Sequence, residues 1–255
     1  MTHMNDPLRP VADAYVAAFE GLSTAAGHTR RGPHGAVLAI SGAPVAALNA
    51  IISPSPDPNP DEIAALAASE APWELPWSIH VRGTPGPLVT EVAARNGLTR
   101  FSTEPLMIRR PDQGMPPQSA VGSLRVRPVS SDELDLYART VAEGFEAPHE
   151  TFQVFSNPSL AKVDGVTFYL AEVDGVPVGT GMTAVSEDLL GLFNISTLPH
   201  HRRRGYGRAV TTELLRAGHA AGATTSYLYA SKMGEPVYES VGFRTEEYMT
   251  VITAP

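Results

Sequence analysis

The chain has 255 residues, 43% of them hydrophobic and 18% charged, which is enough for one large domain or two small ones. Its formal net charge of −8 disfavours nucleic acid as a partner, and the absence of cysteine excludes disulfides, thiolate metal sites and a cysteine nucleophile. No apolar run is long enough to span a bilayer and no basic-then-apolar leader opens the sequence, so we expect a cytoplasmic protein with no membrane partner. The histidines show no ligand spacing beyond the adjacent His200 and His201, and we expect no metal.

The first half of the chain alternates between helical and extended patterns, which is typical of an α/β fold. A proline- and glycine-rich stretch at 111–122 then resembles a linker, and we predict a boundary there, between a domain at 1–115 and another at 123–255. The patterns before the linker predict a helix over 10–26, a hairpin of strands at 36–40 and 45–52, a helix from a cap at Asp61 to about Glu70, a strand at 77–81, a helix at 87–96 and a strand at 101–108.

The second half shows a different order, in which strands dominate before the long helix. A capping box at Ser130 and Glu133 predicts the start of a helix that runs through Phe145, and residues 146–155 are interpreted as loop and short helix. The remaining patterns predict strands at 124–127, 168–173, 176–185, 189–197, 225–230 and 243–252, a helix over 206–221 and a short helix that opens near Pro236.

Between the strand that ends at Thr197 and the next helix lies a run of arginines and glycines, residues 202–208, called here the arginine–glycine loop. Backbone N–H groups at a helix start lack intrahelical partners, and glycines let a ligand approach them closely. The loop therefore predicts an anion site, most naturally for phosphate. It lacks the lysine of a P-loop, and Val210 stands where a dinucleotide fingerprint needs its third glycine. The helix that follows should bury a stripe of Tyr206, Val210, Leu214, Ala217 and Ala221 and stop at Gly222.

Two motifs carry a family resemblance. The Arg-x-x-Gly-x-Gly of residues 202–207 is similar to the acyl-CoA loop of the GNAT superfamily of N-acetyltransferases. The stretch Gly234-x-x-Val-Tyr-Glu-x-x-Gly-Phe243 resembles the carboxyl-terminal signature of the same family, and the element order over about 123–252 is the one that the family uses. The resemblance implies a GNAT fold, a mixed and mostly antiparallel twisted sheet flanked by helices.

The resemblance also implies a reaction, in which an acetyl group passes from acetyl-CoA to a primary amine of a small molecule by direct attack on the thioester. Tyr238 matches the general acid of the family, although it is also suited to core packing. Ser231 stands where many members carry asparagine, and capping of the strand end is an equally good interpretation of it. The implied cofactor-binding residues are Ile195, Ser196, Thr197, Arg202, Arg203, Arg204, Gly205, Tyr206, Gly207, Arg208 and Ser231.

Several alternatives stay open at this point. The chain could be a non-catalytic acyl-CoA sensor or scaffold, or it could use a longer acyl-CoA or an acyl-carrier protein. The acceptor is not identified, the protein could be a monomer or a homodimer, and no spacing selects the general base among Glu146, His149, Glu150, Glu187 and Asp188.

The sequence of the first half of the chain resembles that of the second half. Residues 37–46 resemble residues 169–179, and residues 94–99 resemble residues 239–244, but the first half has no Arg-x-x-Gly-x-Gly. We interpret it as a degenerate GNAT-like repeat that binds no CoA and packs against the catalytic domain, with an unrelated α/β cap as the alternative.

Overall fold

The computed structural model describes residues 6–70, 73–117 and 121–255, and it has the mixed α/β architecture that the sequence predicts. The helices are α1 (Arg9–Ala26), α2 (Pro60–Ser69), α3 (Pro87–Arg95), α4 (Leu134–Gly144), α5 (His149–Phe152), α6 (Tyr206–Ala220) and α7 (Glu235–Glu239). The strands are β1 (His28–Arg31), β2 (Val37–Ile40), β3 (Asn49–Ser53), β4 (Ser78–Arg82), β5 (Arg100–Arg109), β6 (Leu124–Pro128), β7 (Val166–Val173), β8 (Val176–Ser186), β9 (Leu189–Thr197), β10 (Thr225–Tyr229) and β11 (Arg244–Thr253).

The chain forms two compact units whose limits lie inside strands. The amino-terminal unit comprises the described residues up to Glu104 together with Glu247–Pro255, and the carboxyl-terminal unit is Pro105–Glu246. The boundary predicted at 111–122, between domains at 1–115 and 123–255, does not coincide with this division. The reason is strand pairing, because the end of β11 pairs with β4 and the end of β5 pairs with β10.

In the amino-terminal unit the strand order is β1-β2-β3-β4-β11, with β3 and β4 parallel and the other neighbours antiparallel. A short 3-10 turn, Ala46–Leu48, replaces part of the second strand of the predicted hairpin, and β1 has no counterpart among the predicted strands. Asn59, and not Asp61 as predicted, caps α2, since its side-chain oxygen accepts from the N–H groups of Asp61 and Glu62 at 3.0 and 3.1 Å. Asparagine precedes the proline that occupies the first helical position, so the cap falls two residues earlier than predicted.

In the carboxyl-terminal unit the strand order is β5-β10-β9-β8-β7-β6, with β9 and β10 parallel and the other neighbours antiparallel. Helices α4 and α6 cover opposite faces, because successive side chains of a strand point to opposite sides. Phe168 of β7 contacts Tyr137 of α4 with ring centroids 5.0 Å apart, whereas Tyr169 belongs to the cluster around Val210 and Leu214 of α6. The predicted capping box of Ser130 and Glu133 before α4 is present.

The buried stripe predicted for α6 is correct at its centre and wrong at its end. Val210 and Leu214 are buried, and Tyr206 and Ala217 are half-buried against the same cluster. Ala221 is exposed, because the helix has ended at Ala220. In the part of the chain that the structure describes, no helix combines the length and the apolar character needed to cross a membrane.

Candidate functional site

The parallel strands β9 and β10 pair with each other only at their amino-terminal ends. Their ladder joins Thr225, Ser226 and Tyr227 to Leu189, Leu190 and Gly191, and no further pair follows in the described chain. On its other side β9 shifts register against β8 between Thr180 and Met182, where Asn194 takes a left-handed conformation with φ 50°. This irregularity is a β-bulge, which bends a strand and interrupts its pairing. The edge of β9 that faces β10 is therefore without a partner strand over the predicted cofactor residues Ile195, Ser196 and Thr197.

The side chain of Ser196 is used inside the protein. Thr180 Oγ1 lies 2.7 Å from the carbonyl oxygen of Asn194, to which it donates, and 2.7 Å from Ser196 Oγ, so Ser196 donates to Thr180. Gly144, the last residue of α4, lies against the same hydroxyl, since a Cβ added there would be 2.2 Å from Ser196 Oγ. Only the backbone of Ser196 is left for a ligand.

The arginine–glycine loop presents a row of backbone donors. Arg203 and Gly205 both have left-handed backbone, with φ 62° and 83°, and Gly205 is the N-cap of α6 without any side-chain cap. The first bond of the helix runs from the N–H of Ala209 to the carbonyl of Gly205 at 3.1 Å. Within the described ranges, the six N–H groups from Arg203 to Arg208 donate no well-formed backbone hydrogen bond. Successive N–H groups in alternating conformations at a helix start form an anion-binding concavity.

The two glycines of the loop border open space. A Cβ on Gly205 would have Val121 Cγ2 as its nearest neighbour, at 3.8 Å. A Cβ on Gly207 would lie 3.7 Å from Thr197 Oγ1 and 4.0 Å from Val237 Cγ1. Gly207 therefore faces a gap between the end of β9 and α7, as expected where a ligand approaches the backbone.

The four arginines of the loop differ in how they are bound. Arg203 and Arg208 are exposed and have no side-chain partner among the described residues, whereas Arg204 donates to the carbonyl of His200 at 3.1 Å. Arg202 donates to three acceptors of the protein, the carbonyls of Thr197 and Gly144 and the carboxylate of Glu146. Of the four charges only that of Arg202 has an acidic partner, and the side chains of Arg203 and Arg208 have no partner at all among the described residues.

Tyr238 packs its ring and leaves its hydroxyl free. The ring lies edge-on to Phe243 with centroids 6.1 Å apart, and it covers Gly234, where an added Cβ would be 2.8 Å from Tyr238 Cε2. Burial raises the pKa of Tyr238 to about 12. No residue in the described part of the chain forms a hydrogen bond with its hydroxyl. Tyr238 therefore packs its ring as a core aromatic does, and its phenol also stays protonated and available as a proton donor.

Ser231 has the capping geometry that was one of its two interpretations. Its Oγ accepts from the N–H of Gly234 at 3.1 Å, and its carbonyl accepts from the N–H groups of Gly234 and Glu235. The serine thus holds the turn that leads into α7, and its hydroxyl proton remains available as a donor.

The candidates for a general base are spread over the unit. Glu187 and Asp188 precede β9 and lie at its far end, about 30 Å from Thr197 along an extended strand. Glu146 is ion-paired, Glu150 is exposed, and His149 has a buried Nδ1 without a hydrogen-bond partner in the described chain. The structure separates Glu187 and Asp188 from the loop and leaves the base unassigned. Among the described residues no cluster of three metal-binding side chains occurs.

Three residues of the site carry no signal in the sequence. Each is recognised only in the structure: Asn194 by its positive φ, Thr180 by its hydrogen bond to the bulge, and Gly144 by its contact with Ser196. Each depends on pairing between segments distant in the chain, which spacing within one segment does not reveal.

Residues 164–245 match the family model described as the acetyltransferase (GNAT) domain. No curated protein matches the chain. Among solved structures, the chain is similar to a GCN5-related N-acetyltransferase from Kribbella flavida, with 20% identity over 98% of this chain and 96% of that one and a TM-score of 0.68. A functionally unknown conserved protein from Staphylococcus epidermidis has 15% identity over 82% and 85% of the two chains, with a TM-score of 0.60. A GCN5-related N-acetyltransferase from Sphaerobacter thermophilus has 17% identity over 73% of this chain and 62% of that one, with a TM-score of 0.54.

Proposed function

We propose that this chain, which carries a GNAT-type acetyltransferase domain at residues 164–245, transfers an acetyl group from acetyl-CoA to a primary amine of a small molecule. The observation that carries the proposal is the row of six backbone N–H groups, Arg203 to Arg208, that donate no well-formed backbone hydrogen bond in the described chain. A pyrophosphate offers the oxygens that such a row needs, and the unpaired side chains of Arg203 and Arg208 add positive charge.

The end of β9 is the proposed site of the acyl carbonyl. The bulge at Asn194 and the early end of the ladder with β10 leave residues 195–197 without a partner strand on one edge. N–H groups held in place before the reaction stabilise a negative charge that develops on an oxygen, because they need not reorient.

Acetyl-CoA supplies an activated thioester when it is bound. The amine nitrogen forms the new bond to the carbonyl carbon, the carbon–sulfur bond breaks, the amine loses a proton, and the departing sulfur gains one. Tyr238 is the proposed donor of the latter proton. Its hydroxyl has no partner in the described chain, and its raised pKa keeps it protonated at neutral pH.

The amino-terminal unit is proposed to be a degenerate GNAT-like repeat that binds no CoA. The helix α2 has Asp61 and Glu62 in its first turn, where α6 has no acidic residue. The carboxylate of Glu62 is buried and accepts from the N–H groups of His34 and Ala36 at 2.5 and 3.3 Å. Negative charge at this helix start repels a phosphate.

A thiol-release assay with acetyl-CoA and a panel of amines tests the proposal, with each component omitted in turn as a control. We expect release that depends on both the protein and one class of small amine. Calorimetric binding of CoA without release for any amine would favour a sensor or scaffold. Thiol release only with a longer acyl-CoA or an acyl-carrier protein would show that the acyl donor is not acetyl-CoA.

A further inference from the structure

The guanidinium of Arg202 joins three parts of the carboxyl-terminal unit. Its Nε donates to the carbonyl of Thr197 at 3.2 Å, its Nη2 to the carbonyl of Gly144 at 2.9 Å and its Nη1 to Glu146 Oε2 at 2.7 Å. Thr197 ends β9, Gly144 ends α4, and Arg202 itself opens the arginine–glycine loop. One side chain therefore connects the strand, the helix and the loop.

The ion pair with Glu146 changes what Arg202 can offer to a phosphate. The exposed carboxylate of Glu146, at 2.7 Å, partly offsets the guanidinium charge, and an incoming anion would meet that carboxylate as well. Arg203 and Arg208, in contrast, have no acidic partner among the described residues. Arg204 donates only to a carbonyl, so the uncompensated charge of the site comes from Arg203, Arg204 and Arg208.

Glu146 is held in a conformation that its residue type disfavours. It has φ 55° directly after the C-cap of α4, where its N–H donates to the carbonyl of Glu143 and the N–H of Ala147 donates to that of Ala142, both at 3.0 Å. This pattern is a Schellman motif, whose left-handed position is usually glycine. No hydrogen bond of the motif uses the Gly144 carbonyl, which instead accepts from Arg202. A strained position next to a site favours a functional role for its side chain.

The same contacts extend to the strand that is proposed to hold the acyl group. Gly144 lies against Ser196, so a movement of the α4 terminus changes the position of β9. Thr197 Oγ1 is the nearest neighbour of the open face of Gly207. The relative position of the strand end and the loop therefore depends on the contacts of Arg202.

We propose that Arg202 and Glu146 form a positioning pair, which sets the end of β9 relative to the arginine–glycine loop, and that Arg202 is not a phosphate ligand. The inference rests on the proposed acetyl transfer for its kinetic consequence. The pair acts through residues 195–197 on the acyl group, whereas the nucleotide half of CoA is bound by the N–H row of residues 203–208. Loss of the pair lowers kcat and leaves nucleotide affinity unchanged.

The variants Glu146→Gln and Glu146→Gly separate the two roles. Glutamine removes the charge at nearly constant shape, and glycine also relieves the left-handed backbone, so the Glu146→Gly protein should melt no earlier than the wild type. For both we expect kcat to fall at least about tenfold, which corresponds to the loss of one charge-assisted hydrogen bond. The dissociation constant of adenosine 3′,5′-bisphosphate should stay within about twofold, as expected if the bonds of the N–H row are intact. Glu143→Gln, an exposed carboxylate on the same helix, is the matched control and should change neither quantity.

If Arg202 were a phosphate ligand, removal of Glu146 would free its charge and tighten binding of the bisphosphate, and that result would overturn the inference. Hydrogen exchange of peptides that cover residues 195–205, in the ligand-free protein, gives a readout independent of activity. We expect faster exchange in Glu146→Gln than in Glu143→Gln, and equal exchange would also refute the pair. A wild-type protein that neither binds the bisphosphate nor releases thiol would count against the proposed function, and the exchange data would still decide on the pair.

Discussion

Replacement of Gly207 by valine should weaken CoA binding strongly and leave the protein folded. A Cβ at this position meets only Thr197 Oγ1 at 3.7 Å and Val237 Cγ1 at 4.0 Å, which are ordinary van der Waals distances. Gly207 lies in the first turn of α6, where glycine is a poor helix former, so a side chain should not lower stability. The added methyl groups occupy the gap through which a phosphate would reach the N–H row.

The size of the effect follows from the bonds that the valine blocks. A hydrogen bond between a backbone N–H and a charged phosphate contributes about 1.5–3 kcal/mol, and we expect two to be lost. The loss of about 3–6 kcal/mol corresponds to a factor of about 10²–10⁴ in the dissociation constant. Alanine adds a single methyl group and should give a smaller loss, so the series glycine, alanine, valine should weaken binding in steps.

Isothermal titration with CoA measures the affinity, and thermal unfolding shows whether each variant is folded. Gly86→Val is the matched control, because Gly86 is exposed, precedes α3 in the amino-terminal unit and has no atom within 4 Å of an added Cβ. A folded Gly207→Val protein that binds CoA as well as the wild type does would refute the phosphate site at the arginine–glycine loop.

Two further predictions concern buried titratable groups. Tyr238→Phe should keep CoA affinity and lower turnover about 10²–10⁴-fold, the usual contribution of a general acid, and a full-rate variant would identify the tyrosine as core packing only. Because burial raises the pKa of Tyr238 to about 12, loss of its proton should not reduce the wild-type rate below about pH 10. Burial lowers the pKa of His80 from 6.5 to about 4, so the unfolded chain takes up a proton that the folded chain excludes. The contribution of His80 to the free energy of unfolding should therefore fall by about 3 kcal/mol as the pH drops from 7 to below 4, and denaturant titrations should show a flatter pH dependence for His80→Gln.

The sequence predicted the loop and its helix because their signals are local. Glycine at a left-handed position, free N–H groups at a helix start and a following apolar stripe all depend on neighbours within a few residues, and Gly205 and Val210 occupy the positions that these rules assign. The family motifs cover the same segment, and residues 164–245 match the family model of the acetyltransferase (GNAT) domain. The mixed α/β fold is confirmed as well.

The sequence could not predict the partners of side chains that reach across the unit. Arg202 has the same local signature as Arg203, a basic residue before a helix, yet one binds three protein acceptors and the other none in the described chain. The difference depends on where α4 ends, more than fifty residues earlier in the sequence. The bulge at Asn194 likewise depends on the register between β9 and β8.

Strand pairing also explains why the predicted boundary differs from the observed units, and it leads to a test. The patterns of β5 and β11 predict strands at nearly the observed limits, but each half of the chain was expected to keep its own last strand. Residues 106–109 instead pair with β10, and residues 249–253 pair with β4. Alternation and propensity specify that a segment is extended, whereas its partner depends on surfaces formed by the whole fold.

A fragment of residues 123–255, which follows the predicted boundary, should therefore fail to fold, whereas residues 105–246 should unfold cooperatively. The fragment that begins at residue 123 lacks the buried residues Leu106, Met107 and Ile108. Their burial stabilises the fold by about 1.5–3 kcal/mol each, or about 5–9 kcal/mol together. That sum is comparable to the whole stability of a domain, about 5–15 kcal/mol. It also turns β10 into an edge strand with unpaired backbone groups, which favours aggregation. Circular dichroism and denaturant titration of the two fragments measure the difference, and equal stability would show that β5 is dispensable to the carboxyl-terminal unit.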